Sequence, residues 1–170
     1  MLGLILAAGL GTRLKEETKD KPKCMVEVGN KPVLEHIADH MNKHGIWRIV
    51  VNLHAFPEVV MKHFGQRFLY LYEPVPMGEF ATVNLVKGMF PSEKIYTMNG
   101  DTITDFWPSD LDFKTPYDLI VRFVSKKTKR HIGSSIYGNG IEFEKLVDCT
   151  YHDIGTPAKL KLAREYYVKH

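Results

Sequence analysis

The sequence predicts an α/β protein in which helices cover both faces of a mostly parallel sheet. Short, continuously apolar runs alternate with amphipathic segments, as expected for parallel strands that are buried on both faces. The 170 residues are 44% hydrophobic and 25% charged, which suits a globular protein with one well-buried core. We therefore expect a single domain over residues 1–170.

The predicted strands are apolar runs, and the predicted helices repeat apolar residues every three or four positions. We expect strands at residues 2–6, 48–53, 68–72, 95–98 and 119–124. We expect helices at residues 33–43, 57–64 and 80–89, and a C-terminal helix within residues 158–168. Because ligands bind at the carboxyl ends of parallel strands, the residues that follow each strand are the candidates for function.

The loop after the first predicted strand has the composition of a phosphate-binding loop. Its glycines would allow positive φ angles and a close approach of the backbone to a ligand. Arg13 would offer a planar pair of donors to phosphate oxygens, and Lys23 would add a compact charge from a separate segment. The loop therefore indicates a site for the phosphates of a nucleoside triphosphate (NTP). Its predicted nucleotide-binding residues are Leu6, Ala7, Ala8, Gly9, Gly11 and Thr12.

Two other phosphate-binding motifs do not fit this loop. The Walker A motif requires lysine and then serine or threonine directly after its second glycine, where this chain has Thr12 and Arg13. The dinucleotide fingerprint requires a third glycine at the position of Leu14. These mismatches argue against a P-loop NTPase and against a dehydrogenase.

Three stretches of the chain together resemble the family of nucleotidyltransferases that couple NTPs to sugar 1-phosphates. The first is L-A-A-G-L-G-T-R-L at residues 6–14, followed by P-K-C-M at 22–25 and K-P at 31–32. The second is M-N-G-D at residues 98–101, and the third is Y-H-D-I-G-T-P at residues 151–157. The resemblance implies a Rossmann-like fold of the nucleotide-diphospho-sugar transferase type. It also implies an enzyme of nucleotide-sugar biosynthesis.

Asp101 and Asp153 are the candidate metal ligands. Mg²⁺ is commonly held by one or two carboxylates together with phosphate oxygens and water. From the residues alone, an Asn-Gly-Asp turn and an aspartate before a helix also have ordinary structural explanations. The resemblance implies that both aspartates bind Mg²⁺ and that Asn99 and Gly100 bind the nucleotide.

The resemblance also implies a reaction without a covalent intermediate. A phosphate oxygen of the acceptor would attack the α-phosphorus of the NTP in line, and pyrophosphate would leave. Arg13 and Lys23 are the predicted catalytic residues. Lys23 would stabilise the charge of the transition state, and Arg13 would bind the leaving pyrophosphate.

Glu73 is the candidate residue for choosing the base, and Gly78 lies in the same predicted nucleotide-binding loop. In the family, a residue just before this second glycine loop faces the base. Guanine presents two adjacent N–H donors, which suit a carboxylate, whereas uracil and thymine suit an amide. The carboxylate of Glu73 therefore favours GTP, with a solvated acid at the end of a strand as the alternative.

The acceptor half of the reaction has fewer matching residues. We divide the chain into a donor-binding part over about residues 1–101, a reduced acceptor-binding part over about 102–157, and the C-terminal helix. The candidate acceptor contacts are Glu142, Lys126, Lys127 and Lys129. The alternative for the three lysines is that they belong to an exposed loop without a role in binding. Either the acceptor pocket is small, or another subunit of a homo-oligomer completes it.

Three functions remain open from the sequence. The first is transfer from GTP to a hexose or heptose 1-phosphate. The second is a cytidylyl- or uridylyltransferase acting on a small phosphate such as phosphocholine. In that case aromatic side chains would surround the cation of the acceptor. The third is a catalytically inactive nucleotide-binding module. The candidate aromatic residues are Trp107, Tyr117, Phe123, Tyr137 and Tyr151.

Charge and hydropathy exclude other classes of partner. The formal net charge is +3 without a continuous basic stripe, so we expect no nucleic-acid partner. The apolar start has no preceding basic residue, and no apolar run has transmembrane length, so we expect a cytoplasmic protein without a membrane partner. Cys24 and Cys149 lack metal-ligand spacing and are predicted to be free thiols.

His36, His40 and His44 recur every four residues along the helix predicted at 33–43 and just beyond it. This spacing is able to bind zinc. The alternative is that the three histidines mark the edge of a buried helix face or a subunit contact.

Overall fold

Seven of the described strands form the central sheet of this computed structural model, which describes residues 1–108, 119–138 and 141–169. Two segments of 3-10 helix, Thr12–Thr18 and Lys23–Met25, follow the first strand. In chain order the strands and helices are β1 (Leu2–Leu6), β2 (Glu27–Val28), β3 (Lys31–Pro32), α1 (Val33–Lys43), β4 (Ile49–Leu53), α2 (Pro57–Phe64), β5 (Leu69–Tyr72), α3 (Glu79–Met89), β6 (Ile95–Asn99), β7 (Thr102–Thr104), β8 (Leu119–Ser125), β9 (His131–Tyr137), β10 (Ile141–Val147), β11 (Tyr151–Asp153) and α4 (Pro157–Lys169).

The central sheet is mostly parallel, as predicted. Its strand order is β10-β8-β9-β6-β1-β4-β5. Strand β1 runs parallel to β4 and β6, β4 runs parallel to β5, and β8 runs parallel to β10. Strand β9 runs antiparallel to both β6 and β8. The carboxyl end of β1 therefore lies between the carboxyl ends of β4 and β6.

Helices cover both faces of the sheet, which confirms the predicted fold class. In β1, Ile5 packs in a buried cluster with residues of α1 and α4, whereas Leu4 packs in a second cluster with residues of α3. This alternation follows from the two-residue period of a strand. No helix in the described ranges combines the length and apolar character needed to cross a membrane.

The predicted bounds agree with the structure where the apolar periodicity is strong. Strand β1 and helices α1 and α2 have the predicted bounds, and the other predicted elements differ by one residue at one or both ends. Three of the missed strands, β9 to β11, lie after residue 124. In β9, Gly133, Ser134 and Ser135 interrupt the apolar pattern, although both serines are fully buried. The short strands β2, β3 and β7 were also missed because they are too short to show periodicity.

The small sheet of β7 and β11 brings two distant segments together. Asp153 pairs with Thr102 in its antiparallel register. The amide of Ile154 donates to the carbonyl oxygen of Asp101 at 2.9 Å. Positions 101 and 153 are therefore neighbours, beside the carboxyl end of β6.

The histidines of the α1 region take part in packing. His36 and His40 each place Nε2 2.8–2.9 Å from a backbone carbonyl oxygen of a neighbouring segment. The ring of His44 stacks on Trp107, with ring centroids 4.1 Å apart. Among the residues that the structure describes, no three His, Cys, Asp or Glu side chains form a group that could hold a metal ion. These contacts agree with the edge of a buried helix face and not with a zinc site.

Cys24 and Cys149 are free, as predicted. Cys24 is 1% exposed and belongs to the buried cluster that contains Ile5 and residues of α1 and α4. Cys149 is partly buried and packs against the same cluster. Burial raises the pKa of the Cys24 thiol to about 12. Near neutral pH this residue is therefore a neutral, apolar packing group.

We expect the variant Leu34→Ala to lower the free energy of unfolding by about 2–5 kcal/mol, because it opens a cavity in the core. Leu34 is 0% exposed and packs between α1 and the sheet. Leu85→Ala in α3 is the control, since Leu85 is 43% exposed. Urea titration of the three proteins measures both effects. Equal losses for the two variants would contradict the assignment of the core.

Candidate active site

The loop after β1 is fixed by hydrogen bonds to the ends of the two neighbouring strands. The amide of Ala7 donates to Oδ1 of Asn52 in β4 at 2.6 Å. The amide of Gly100, just after β6, donates to the carbonyl oxygen of Leu6 at 2.8 Å. A Cβ atom at Gly100 would lie 2.9 Å from Cα of Ala7, so only glycine allows this approach. The loop and the Asn-Gly-Asp segment therefore lie directly against each other.

Gly11 connects this loop to the segment that carries Lys23. Its φ of +66° lies in the left-handed region, which favours glycine. A Cβ atom there would lie 3.0 Å from Cβ of Lys23 and 3.1 Å from Cγ2 of Thr18. Gly9 differs from the expectation, because it is not among the positive-φ glycines, and a Cβ atom there would meet nothing within 4 Å. Gly9 therefore leaves open space over the loop without needing a special backbone conformation.

The predicted cations and carboxylates converge near Gly155. A Cβ atom at Gly155 would lie 2.6 Å from Oδ1 of Asp153, 3.2 Å from Nη2 of Arg13 and 3.3 Å from Nζ of Lys23. Lys23 also forms an ion pair with Asp101. Three charged groups from three separate segments thus lie close to Gly155, and Asp101 joins them through Lys23.

Each carboxylate is held by a lysine and by one further donor. Oδ1 of Asp101 accepts from the Thr102 hydroxyl at 3.0 Å, and its Oδ2 pairs with Lys23. Oδ1 of Asp153 accepts from the Gly155 amide at 2.6 Å, and its Oδ2 pairs with Lys159. Burial alone raises the pKa of Asp153, but the hydrogen bonds from Lys159 and the Gly155 amide outweigh burial and hold this pKa below its ordinary value.

Two neighbouring cavities share Asn99 and Asp101. One, of about 180 Å³, lies on the loop after β1. The other, of about 380 Å³, extends from Asp101 towards β11 and the turn between β8 and β9. A ligand could therefore extend from the smaller cavity on the loop into the larger cavity. The predicted site residues that line the first cavity are Leu6, Ala7, Gly9, Lys23, Asn99, Gly100 and Asp101. Those that line the second are Arg13, Asn99, Asp101 and Asp153.

Ala8, Thr12 and Gly11 belong to the same loop region but do not line either cavity. Ala8 is 8% exposed, and Thr12 begins the first 3-10 segment. Gly78 also lies outside the two cavities. It precedes α3 with a φ of +85°, and its carbonyl oxygen accepts from the amide and the hydroxyl of Thr82. These positions shape the backbone around the site.

Glu73 is placed differently from the expectation for a base contact. Its side chain is 1% exposed, and its carboxylate already accepts three hydrogen bonds from the protein. Oε1 accepts from Nδ2 of Asn52 at 2.9 Å and from the Thr82 hydroxyl at 2.5 Å, and Oε2 accepts from the Met77 amide at 3.0 Å. Burial raises its pKa, but these donors outweigh burial and lower it. The carboxylate is therefore closed off from solvent, and it ties β4, α3 and the loop after β5 together.

Asn52 is a residue of the site region that the sequence analysis missed. It is 3% exposed, and it joins the amide of Ala7 to the carboxylate of Glu73. A polar residue inside the apolar strand β4 was the available signal, because a buried amide needs hydrogen-bond partners. Asn52 thereby connects the loop after β1 with the loop after β5.

The candidate acceptor contacts are also placed differently from the expectation. Lys126 pairs with Asp148 at 2.7 Å, and Glu142 pairs with Arg122 at 3.0 Å, both outside the larger cavity. Lys127 and Lys129 do not line that cavity either. The structure instead brings other residues from after residue 101 to the cavity, including Thr128, Arg130, His131 and Lys159.

The described aromatic residues do not form a box around a cation. Phe123 packs in the cluster with α1, whereas Tyr137 packs in the cluster on the opposite face of the sheet. Trp107 stacks on His44, and Tyr151 lines the larger cavity. Tyr117 lies outside the described residues. No observation therefore favours a choline-like acceptor.

The sequence also matches known proteins. Residues 2–139 match the family described as nucleotidyl transferase. D-glycero-alpha-D-manno-heptose 1-phosphate guanylyltransferase of Campylobacter jejuni is 36% identical over 110 residues, which are 62% of this chain and 49% of the relative. Glucose-1-phosphate cytidylyltransferase of Salmonella typhimurium is 45% identical over 71 residues, which are 42% of this chain and 28% of the relative. The chain thus spans half or less of the length of these curated relatives.

The fold has a counterpart among solved structures. The crystal structure of HddC from Yersinia pseudotuberculosis matches with a TM-score of 0.81 over 98% of this chain and 99% of that chain, at 18% identity. At this identity the likeness concerns the fold. The family match at residues 2–139 covers most of the chain and contains the loop after β1 and Asp101. The chain therefore belongs to the nucleotidyl transferase family.

Proposed function

We propose that the chain transfers a nucleoside monophosphate from an NTP to a sugar 1-phosphate and releases pyrophosphate. The convergence of Arg13, Lys23 and Asp153 around Gly155, with Asp101 paired to Lys23, is the observation that carries this proposal. The two cations suit a triphosphate, and the two carboxylates suit a divalent cation. A protein that only bound nucleotides would not need both carboxylates. The activities in the names of the two relatives support the same reaction.

We propose Asp101 and Asp153 as ligands of Mg²⁺. Both carboxylates line the larger cavity, and the β7–β11 register makes their positions neighbours. A cation with two protein carboxylates completes its shell with phosphate oxygens and water, so this donor set fits Mg²⁺ that is shared with a nucleotide. When bound, Mg²⁺ would withdraw negative charge from the triphosphate.

The residues of the chain itself would position the substrates and balance their charge. The open space over Gly9 admits the phosphates to the loop. Lys23, between this loop and Asp101, would neutralise charge that develops at the α-phosphate, and Arg13 would bind the leaving pyrophosphate. A phosphate oxygen of the acceptor forms the new bond to the α-phosphorus, and the bond to the β-phosphate breaks with its electron pair on pyrophosphate. Because the acceptor phosphate is largely deprotonated at neutral pH, this step needs no protein base.

We propose GTP as the nucleotide and a hexose or heptose 1-phosphate as the acceptor. The guanylyltransferase named among the relatives supports GTP. The charge of Glu73 adds no support for GTP, because that carboxylate is buried and accepts hydrogen bonds from the protein. The cytidylyltransferase named among the relatives keeps CTP as the second candidate.

We expect pyrophosphate release when the protein is mixed with Mg²⁺, GTP and a hexose or heptose 1-phosphate. The measurement compares the four NTPs, each with a panel of sugar 1-phosphates and with phosphocholine. Faster release with CTP would replace the guanylyl proposal by the cytidylyl one. A thermal shift with nucleotide but no release for any acceptor would favour the inactive nucleotide-binding module.

We expect Asp101→Asn to lower kcat by at least about 100-fold, since it removes the charge of one of the two carboxylates proposed to bind Mg²⁺. Asp148→Asn is the control, because it changes the same group in an exposed ion pair with Lys126. Pyrophosphate release at saturating substrates and a Mg²⁺ titration give the comparison. Retention of most of the Mg²⁺-dependent turnover by Asp101→Asn would show that the metal assignment is wrong.

We expect Glu73→Ala to raise KM by a similar factor for all NTPs, because it frees the loop after β5 and also Asn52, which holds the loop after β1. Each donor left without an acceptor costs about 1–3 kcal/mol, so thermal stability should fall as well. Glu73→Gln retains an oxygen for Asn52 and Thr82 and should recover part of both losses. The ratio of kcat/KM for GTP to that for UTP distinguishes the roles. A large change in this ratio with Glu73→Gln would restore the base-contact role.

A further inference from the structure

The turn between β8 and β9 forms part of the wall of the larger cavity, opposite the carboxylates. Thr128 and Arg130 come from this turn and His131 from the start of β9, whereas Asp101 and Asp153 come from the other side. The cavity volume of about 380 Å³ lies within the usual range for small-molecule sites. The wall and the carboxylates belong to different parts of the chain, so a ligand between them would contact both.

The turn is held in place by hydrogen bonds at both ends. The amide of Lys129 donates to the carbonyl oxygen of Ser125 at 2.8 Å, and the amide of Ser125 donates to the carbonyl oxygen of Arg130 at 2.9 Å. The Thr128 hydroxyl lies 3.0 Å from the Tyr151 hydroxyl, and Tyr151 is in the same short strand as Asp153. The backbone of the turn that carries Arg130 is therefore tied to the strand that carries Asp153.

The cations of the cavity differ in their partners. Lys159 is paired with Asp153, and Arg13 lies beside Gly155 near the loop. Burial and the charge of Arg122 lower the pKa of His131, so its ring adds no charge near neutral pH. Arg130 has no ion pair or side-chain hydrogen bond with the residues that the structure describes. Its guanidinium is exposed and carries a charge that the described part of the chain does not balance.

We propose that Arg130 binds the phosphate of the acceptor and thereby sets the affinity for phosphorylated sugars. This inference rests on the proposed function. A guanidinium presents paired N–H donors that match two oxygens of a phosphate, and it keeps its charge at every working pH. With Arg13 assigned to the pyrophosphate, Lys23 to the α-phosphate and Lys159 to Asp153, Arg130 is the cation of this cavity that remains for the second phosphate substrate.

The location also allows the two substrates to meet. The acceptor phosphate has to reach the α-phosphorus of the bound nucleotide. The smaller cavity on the loop and the larger cavity at the β8–β9 turn meet at Asp101 and Asn99. A phosphate bound between Arg130 and Asp101 would therefore face a nucleotide bound on the loop.

We expect Arg130→Ala to raise KM for the sugar 1-phosphate by about 10- to 100-fold, the range for a lost charge-assisted hydrogen bond, with little change in KM for the NTP. Arg130→Lys keeps the charge without the planar pair of donors and should give a smaller increase. Arg48→Ala is the control, because it removes an equally charged, exposed side chain at the opposite end of the sheet. Pyrophosphate release with the best acceptor of the panel gives KM for the sugar 1-phosphate and for the NTP in the wild type and the three variants.

Calorimetric titration with mannose 1-phosphate and with free mannose separates this inference from the proposed function. The wild type should bind the phosphorylated sugar more tightly, and Arg130→Ala should lose most of that preference, whether or not turnover occurs. Absence of release for every acceptor, together with this loss of binding, would reject the reaction but retain the phosphate site. Equal binding by wild type and Arg130→Ala, or no binding by the wild type, would overturn the role of Arg130.

Discussion

The close approach of Gly100 to the end of β1 is the constraint on which the rest of the site depends. The parallel register of β1 and β6 pairs Leu6 with Asn99, and the next residue reaches back to the Leu6 carbonyl oxygen. Because a Cβ at position 100 would collide with Ala7, the side chain of Asp101 follows at a place set by backbone geometry. The loop and the proposed metal ligand are thus positioned by the same two strands.

The charges of the site are held in place by one another. Lys23 pairs with Asp101, and Lys159 pairs with Asp153. The protein itself therefore places a cation beside each carboxylate. Two carboxylates without such partners would repel each other at the ends of neighbouring segments. The lysines therefore keep the carboxylates ordered, and a polyphosphate would find cations and carboxylates already in position.

The sequence allowed the central α/β layers and the loop residues to be predicted, because both leave local signals. The apolar period fixes α1 and α2, and the glycine-rich loop is a continuous motif. The role of Glu73 could not be predicted, since its partners Asn52 and Thr82 come from separate elements. Strand β9 was missed because its buried serines and glycine lack an apolar pattern. The place of Arg130 beside the cavity depends on that strand, since Arg130 directly precedes β9.

The part of the chain after Asp101 is not a separate addition to the donor half. Strand β9 pairs directly with β6, so β8, β9 and β10 extend the same sheet that carries the loop after β1. The turn before β9 and the Asn-Gly-Asp segment after β6 lie at the same edge, because these two strands are antiparallel. A Cβ atom at Gly133 would lie 3.1 Å from Thr102 and 3.3 Å from Asn99, which shows how closely the two segments pack. The β8–β9 turn is therefore joined through β9 and β6 to the loop after β1, and transfer between two bound phosphates needs their binding groups to be ordered relative to each other.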